Sequence, residues 1–222
     1  MPVKVGIVDS GVALDQVAAP MTSISFAGAA RSAASGDCVG HGTSVAKLVR
    51  VLAPMAHLLN AQAFIGGRHA DAARVAEAID WCLEQQARVI NLSFGLSADH
   101  AALRAACVAA VARGVIVVAS SPARGGSVYP AAYAGVLAVS GDARCAPQEW
   151  SVIEADRLIG ASTLAADGVT PGGASYAAAR MSGHAARFLA TRPHAGADDF
   201  QQWLAAGAAF RGRERRQAEQ VA

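Results

Sequence analysis

The sequence is poor in cysteine, in charged residues and in long apolar runs, and each shortage excludes a class of protein. Its four cysteines lie far apart, at positions 38, 82, 107 and 145. That spacing is neither the dense pattern of a disulfide scaffold nor the CxxC pattern of a metal site. No apolar run reaches the roughly 18 residues of a membrane-spanning helix. We therefore expect reduced thiols and no membrane partner.

Charge does not favour a nucleic-acid partner either. Only 16% of the residues are charged and the formal net charge is +2, which is too little to hold a polyanion. Arginine is concentrated in residues 211–222, where acidic residues are mixed in, so we predict a solvated charged tail. The amino-terminal residues lack the pattern of a signal peptide, and we expect a cytoplasmic protein. No aspartate-rich loop indicates a calcium site, so neither a metal nor another cofactor is expected. The sequence predicts no particular oligomeric state.

The composition and the order of segments predict one α/β domain. A chain of 222 residues that is 53% hydrophobic can bury one substantial core, which we place in residues 1–210, before the tail at 211–222. Short β-branched runs alternate with alanine-rich segments of helical period, the pattern of a parallel sheet covered by helices on both faces. The predicted strands are 3–8, 57–64, 88–94, 115–119 and 136–140, and the predicted helices are 43–52, 71–87, 98–113, 175–190 and 197–210. Segments 21–40 and 120–134 are rich in Gly, Ser, Ala and Pro, which predicts loops.

Asp9 stands at the end of the first predicted strand, within the motif VGIVDSG. Because a serine and a glycine follow it, its carboxylate can stand at the edge of the sheet beside a tight turn. Many α/β proteins place an acid there to bind a metal or a ribose, or simply to cap the turn. The motif alone therefore leaves a catalytic role and these alternatives open.

His41 lies between Gly40 and Gly42, in the motif GHGTSVA, with Thr43 and Ser44 available to cap the helix that follows. The flanking glycines allow another segment to approach the ring closely. A general base must be exposed, oriented and near neutral pKa, and this setting suits that role. A buried structural histidine is the alternative interpretation.

Ser175 follows Gly172 and Gly173 and should occupy the first turn of a helix, where free backbone N–H groups favour a developing negative charge. It can equally be an ordinary helix cap. The local sequence GASYA is close to the G-x-S-x-G elbow of α/β-hydrolases, whose acid and histidine follow the serine in that order. The acids Asp198 and Asp199 have no histidine after them, so that scheme fails on order.

Taken together, the three motifs resemble those of the subtilisin-like serine protease family, the subtilases. VGIVDSG resembles the family's aspartate motif, DCVGHGTSVA its histidine motif and GGASYAAARMSG its serine motif, in the Asp, His, Ser order for which subtilisin itself is the reference. RVINLSFG resembles the strand that lines the family's substrate cleft. The resemblance extends over nearly the whole chain. It implies a three-layer subtilisin-like fold, in a compact intracellular member without a propeptide.

The resemblance also implies roles for individual residues. Asp9 would orient His41, His41 would take the proton of Ser175, and Ser175 would attack a peptide carbonyl carbon. The substrate-binding residues that it implies are Ser93, Phe94 and Gly95. The chain would be a serine endopeptidase with a peptide or protein substrate.

One departure from the family concerns the oxyanion. Where the family has an asparagine that donates to the oxyanion, ungapped matching puts Ala123. Loss of such a donor costs about 10²–10³ in kcat, a magnitude that comes from subtilisin itself and not from this chain. The side chains of Ser120, Ser121 or Arg124 are possible replacement donors.

The family resemblance leaves two classes of function. The first is a serine endopeptidase of narrow specificity, with maturation of a peptide precursor as its setting; an amine in place of water would give cyclisation or ligation. The second is a pseudo-protease, a peptide-binding or regulatory module that lacks efficient chemistry because the oxyanion asparagine is absent. Tyr176, next to Ser175, would either narrow the leaving-group side of the cleft or pack beneath the helix. Phe94 and the loop 64–71 suggest a cleft open to apolar side chains.

Overall fold

The computed structural model describes residues 1–18, 20–28, 30–64, 71–155 and 157–214, and in these residues a nine-stranded sheet is covered by five helices. The strands are β1 (Lys4–Asp9), β2 (Met21–Ser25), β3 (His57–Gln62), β4 (Val89–Leu92), β5 (Ile116–Ser120), β6 (Leu137–Gly141), β7 (Trp150–Glu154), β8 (Leu158–Ala161) and β9 (Phe210–Arg211). The helices are α1 (His41–Leu52), α2 (Ala72–Glu84), α3 (Ala101–Ala112), α4 (Ala174–Thr191) and α5 (Ala197–Gly207).

The sheet is almost entirely parallel. Its strands follow the order β2-β3-β1-β4-β5-β6-β8-β7-β9, and only the pair β7 and β8 is antiparallel. Strand β1 pairs with β3 on one side and with β4 on the other, so the strand order reverses at β1. At such a reversal the loops leave the carboxyl ends of neighbouring strands in opposite directions and open a crevice. The predicted parallel α/β architecture is confirmed, and Asp9 ends the strand at the reversal.

Each face of the sheet buries its own hydrophobic core. Helices α1, α4 and α5 cover one face, and α2 and α3 cover the other, which gives three layers. The predicted apolar face of α2 is buried, with Val75, Ile79 and Cys82 fully inaccessible. Helices α1 and α4 approach closely at Gly183, where an added Cβ would lie 2.7 Å from the Cβ of Leu52. None of the helices in the described part of the chain combines the length and apolar character needed to cross a bilayer.

The structure corrects part of the secondary-structure prediction. Residues 21–25, predicted as loop, form the edge strand β2, which pairs in parallel with β3. Its sequence MTSIS has no apolar alternation, so periodicity could not identify it as a strand. An edge strand is partly exposed and can form with a weaker apolar pattern than a central strand. Strands β7, β8 and β9 were also not predicted. Helix α5 ends at Gly207, three residues before its predicted end, and Phe210 of β9 pairs with Ser151 of β7.

The carboxyl-terminal segment is described only in part. The predicted boundary at residue 210 falls within β9, since Arg211 pairs with Val152 of β7. Arg213 forms an ion pair with Glu154 at 2.6 Å. Most of the predicted charged tail, from residue 215 onward, lies outside the described residues.

The four cysteines are free thiols, and three of them are buried. Burial raises the pKa of Cys107 to about 12 and that of Cys145 to about 11, and it raises the pKa of Cys82 further still. A thiol is a nucleophile only as the thiolate. These three side chains therefore serve packing.

Candidate active site

The carboxyl end of β1 carries the first of the predicted catalytic residues. The Asp9 side chain is 5% exposed, and its Oδ1 accepts a hydrogen bond from the backbone N–H of Ser10 at 2.7 Å. The same oxygen lies 2.7 Å from Nδ1 of His41, whose side chain is 34% exposed. A buried carboxylate therefore holds one side of an imidazole that solvent and ligands can still reach.

Gly42 lets helix α1 begin directly against β1. A Cβ added at Gly42 would lie 2.2 Å from the carbonyl oxygen of Gly11 and 3.1 Å from the Cβ of Asp9, so no side chain fits there. The Gly42 N–H also donates to the hydroxyl of Ser10 at 3.0 Å. The second glycine of the GHG motif therefore sets the distance between His41 and Asp9.

Asp37 caps helix α1, a role that sequence analysis assigned to Thr43 and Ser44. Its Oδ2 accepts from the backbone N–H and the hydroxyl of Thr43, at 2.8 and 2.6 Å. Its Oδ1 accepts from the Gly40 N–H at 2.8 Å and from the Ser10 hydroxyl at 2.9 Å, which joins the helix end to the turn after Asp9. An aspartate shortly before a predicted helix was the sequence signal for this cap.

These contacts also decide the charge of Asp37. Burial acts to raise the pKa of this carboxyl, but the hydrogen bonds from Thr43, Gly40 and Ser10 act against it, and the pKa is lowered overall. Asp37 is therefore ionised at neutral pH. A negative charge at the amino-terminal end of α1 also interacts favourably with the helix dipole.

Helix α4 carries Ser175 in its first turn, with Gly173 as the N-cap residue. The Ser175 hydroxyl donates to the carbonyl oxygen of Ser93 at 2.9 Å, and the Ser93 hydroxyl donates to the carbonyl oxygen of Ser175 at 3.0 Å. Two reciprocal hydrogen bonds thus fix the start of α4 against the segment that follows β4. The first backbone N–H groups of a helix have no partner within the helix and are available to an anion.

A cavity of about 740 Å³ brings these elements together. All three predicted catalytic residues line it, and so do all three predicted substrate-binding residues: Asp9, His41, Ser175, Ser93, Phe94 and Gly95. Residues that lie up to 166 positions apart in the sequence (175 − 9) therefore face one space. A histidine held by a buried carboxylate and a serine at the start of a helix thus line the same cavity.

The three residues of the predicted oxyanion region lie elsewhere. The buried Ser120 hydroxyl donates to the carbonyl oxygen of Phe94 at 3.2 Å, and the Ser121 N–H donates to that of Val139 at 2.8 Å. Ala123 is exposed. Among the described residues, none of these three lines the cavity. The backbone N–H groups at the start of α4, which line the cavity at Gly173 and Ser175, are available to an oxyanion.

Aromatic side chains shape the cavity. The Tyr176 ring lies with its centroid 6.3 Å from that of His41 and packs on Gly172, where an added Cβ would lie 2.1 Å from the ring. Phe64 and Phe94 also line the cavity and pack edge to face with centroids 5.4 Å apart. Phe64 and Phe94 thus contribute apolar surface to the cavity, and most of the loop 64–71 lies outside the described residues.

Within the described ranges, no group of three or more His, Cys, Asp or Glu side chains is arranged to hold a metal ion.

Comparison with known proteins identifies the family to which a chain with this fold and cavity belongs. The model of the subtilase family matches residues 2–220, and the chain belongs to that family. Subtilisin Savinase from Lederbergia lenta is 32% identical over 148 residues, which cover 62% of this chain and 54% of that protein. Minor extracellular protease Epr from Bacillus subtilis is 29% identical over 154 residues, covering 62% of this chain and 23% of that protein. The chain thus spans about half or less of the length of these relatives.

Solved structures share the fold. A cold-adapted subtilisin-like serine proteinase superposes with a TM-score of 0.75 at 21% identity, covering 93% of this chain and 84% of that one. A lanthipeptide protease gives 0.71 at 20% identity, with 93% and 80% covered. The maturation protease PagA of prenylagaramide gives 0.70 at 18% identity, with 92% and 82% covered.

Proposed function

We propose that this protein is a serine endopeptidase that cleaves peptide bonds through an acyl-enzyme on Ser175. The observation that carries the proposal is the hydrogen-bonding distance of 2.7 Å between Asp9 and His41, in the same cavity as a serine in the first turn of a helix. Family membership supports it. The same cavity would hold a peptide or protein substrate.

The Asp9 carboxylate accepts a hydrogen bond from Nδ1 of His41, so Nε2 is the basic nitrogen. For attack, the Ser175 hydroxyl turns from the Ser93 carbonyl oxygen to His41, gives up its proton and forms a bond to the carbonyl carbon of the substrate. The imidazolium then protonates the leaving amine as the peptide C–N bond breaks. Water attacks the resulting ester by the same route and releases the acid and free Ser175.

The oxyanion of each tetrahedral intermediate is stabilised by the Ser175 N–H and the amino-terminal end of α4. Because Ala123 stands where the family has an asparagine, we expect less stabilisation than that second, side-chain donor would give. A slow enzyme of narrow specificity follows. Maturation of a peptide precursor is such a task, and the likeness to a lanthipeptide protease and to the maturation protease PagA supports it.

A fluorophosphonate probe tests the proposal, since it forms a covalent bond only with an activated serine. We expect stoichiometric labelling of Ser175, its complete loss in Ser175→Ala and a strong decrease in His41→Ala. Ser127→Ala, which changes an exposed serine outside the cavity, is the matched control and should label like the unchanged protein.

The pseudo-protease remains the second candidate function. It is supported by the sequence, which has Ala123 at the position matched to the family's oxyanion asparagine. If folded protein resists the probe yet binds peptides, and this binding is unaffected by Ser175→Ala, the peptide-binding function replaces the enzymatic one.

A further inference from the structure

Ser182 lies two turns beyond Ser175 on helix α4, buried beneath the site and outside the cavity lining. Its side chain is fully inaccessible, and its hydroxyl lies 3.0 Å from Oδ1 of Asn91 on β4. The same hydroxyl lies 3.0 Å from the carbonyl oxygen of Ala178, one turn back on its own helix. The role proposed above for Ser175 does not involve Ser182.

From Ser182, a chain of hydrogen bonds leads to the proposed nucleophile. Asn91 accepts with Oδ1 from the Ser182 hydroxyl, and its Nδ2 therefore faces and donates to the Ser93 hydroxyl at 2.8 Å. The Ser93 oxygen accepts from Asn91, so the Ser93 proton is available for the carbonyl oxygen of Ser175 at 3.0 Å. The single proton of the Ser182 hydroxyl has two acceptors at 3.0 Å, Oδ1 of Asn91 and the Ala178 carbonyl oxygen, and when it points to Asn91 it fixes the direction of the bonds that follow. We call this series, Ser182 to Asn91 to Ser93 to the Ser175 carbonyl, the polar relay.

Burial makes the direction of the polar relay costly to reverse. Asn91 and Ser182 are 0% exposed, so water cannot replace a lost partner of either side chain, whereas Ser93 is 4% exposed and lines the cavity. Buried hydrogen bonds are strengthened by the low local dielectric, and an unpaired buried polar group is correspondingly unfavourable.

We propose that Ser182 and Asn91 are positioning residues for Ser175, acting through Ser93. The inference rests on the proposed function of Ser175. Without the Ser182 hydroxyl, Oδ1 of Asn91 loses its donor, and a rotation of the amide would offer that oxygen to the Ser93 hydroxyl. Ser93 would then donate to Asn91 and release the Ser175 carbonyl, so the first turn of α4 would lose one of its two bonds to Ser93.

The test compares Ser182→Ala with Ser140→Ala. Both remove a hydroxyl from a fully buried serine, but that of Ser140 has no hydrogen-bond partner among the described residues. We expect Ser182→Ala to lower kcat and the rate of fluorophosphonate labelling by about 10-fold with KM unchanged, since small displacements of a reacting group cost up to about 10²-fold. Ser140→Ala should leave both rates unchanged, and Ser182→Thr, which restores the hydroxyl, should recover most of the loss.

A double-mutant cycle separates the polar relay from a general loosening of the core. If Ser182 acts through Ser93, the pair Ser182→Ala and Ser93→Ala should be no slower than Ser93→Ala alone. Rates that multiply, or a Ser182→Ala protein that labels like the unchanged one, would overturn the proposal.

The Tyr176 amide donates to the carbonyl oxygen of Gly173 at 3.0 Å in the first turn of α4. The rate of hydrogen exchange at this amide measures how well the first turn is ordered, and it does not depend on catalysis. It should be faster in Ser182→Ala and in Ser93→Ala, and unchanged in Ser140→Ala. If the unchanged protein does not react with the probe, the proposed function fails, and the exchange rates alone still decide whether the polar relay orders the start of α4. Equal exchange in all variants would refute the polar relay.

Discussion

Gly42→Ala tests directly whether the close approach of α1 to β1 creates the site. The new Cβ would lie 2.2 Å from the Gly11 carbonyl oxygen, whereas real Cβ contacts below 3.0 Å are essentially never seen. The start of α1 and the turn at Gly11 must therefore move apart by at least 0.8 Å, the difference between 3.0 and 2.2 Å. If His41 moves with α1 and away from Asp9, its 2.7 Å distance becomes about 3.5 Å, the limit for a hydrogen bond.

Such a displacement should cost about 10²-fold in kcat/KM, because the orientation of a reacting group is lost when it shifts by about 1 Å. The overpacking should also destabilise the fold by about 1–3 kcal/mol. Turnover of a peptide substrate and urea unfolding measure the two effects. Gly36→Ala is the matched control, since an added Cβ there has no neighbour within 4 Å.

The explanation fails if Gly42→Ala turns over substrate at the unchanged rate while a structure of the variant shows α1 displaced. It also fails if Gly36→Ala loses as much activity as Gly42→Ala. Either result would show that the Asp9–His41 distance does not limit the reaction.

Two further predictions concern stability. Burial, with the nearby Arg187 and Arg180, lowers the pKa of His184 from its ordinary value of 6.5 to about 3. Because the unfolded chain binds the proton more readily, the contribution of His184 to the free energy of unfolding should be fully present above pH 6.5. It should fall as the pH is lowered towards 3, by up to about 1.4 kcal/mol per pH unit. Urea titrations at a series of pH values should show a weaker decrease for His184→Phe. Arg180 is 2% exposed and donates to the carbonyl oxygens of Leu164 and Ala165 at 2.7 and 3.0 Å. Arg180→Met should leave these oxygens without that donor and lower the free energy of unfolding by about 2–4 kcal/mol, and a variant as stable as the unchanged protein in urea would contradict this assignment.

The family was within reach of sequence analysis, and so was the meeting of Asp9, His41 and Ser175 at one cavity, because each of the three lies in a short motif whose neighbours have a local reason to be there. Glycines flank His41, a strand end and a turn frame Asp9, and a helix start follows the two glycines before Ser175. Helices were predicted more completely than strands. The strands that were missed, β2, β7, β8 and β9, include both edges of the sheet and its antiparallel pair, where weaker apolar patterning suffices.

Other features had no clear signal along the chain. Ser182 and Asn91 are an ordinary serine and asparagine in the sequence, and only the packing of α4 on β4 makes them partners. The predicted oxyanion region depended on matching a loop without gaps, and it stays a prediction.

Local patterns determined the alternation of strands and helices and the order of the three motifs, because periodicity and turn chemistry act between residues that are near in sequence. Tertiary structure decided which of those residues meet. The 2.7 Å distance between Asp9 and His41 and the reciprocal bonds between Ser93 and Ser175 join separate strands and helices. Distances of this kind depend on how closely whole elements pack. The missing Cβ at Gly42 and the buried hydroxyls beneath α4 affect that packing only once the chain is folded.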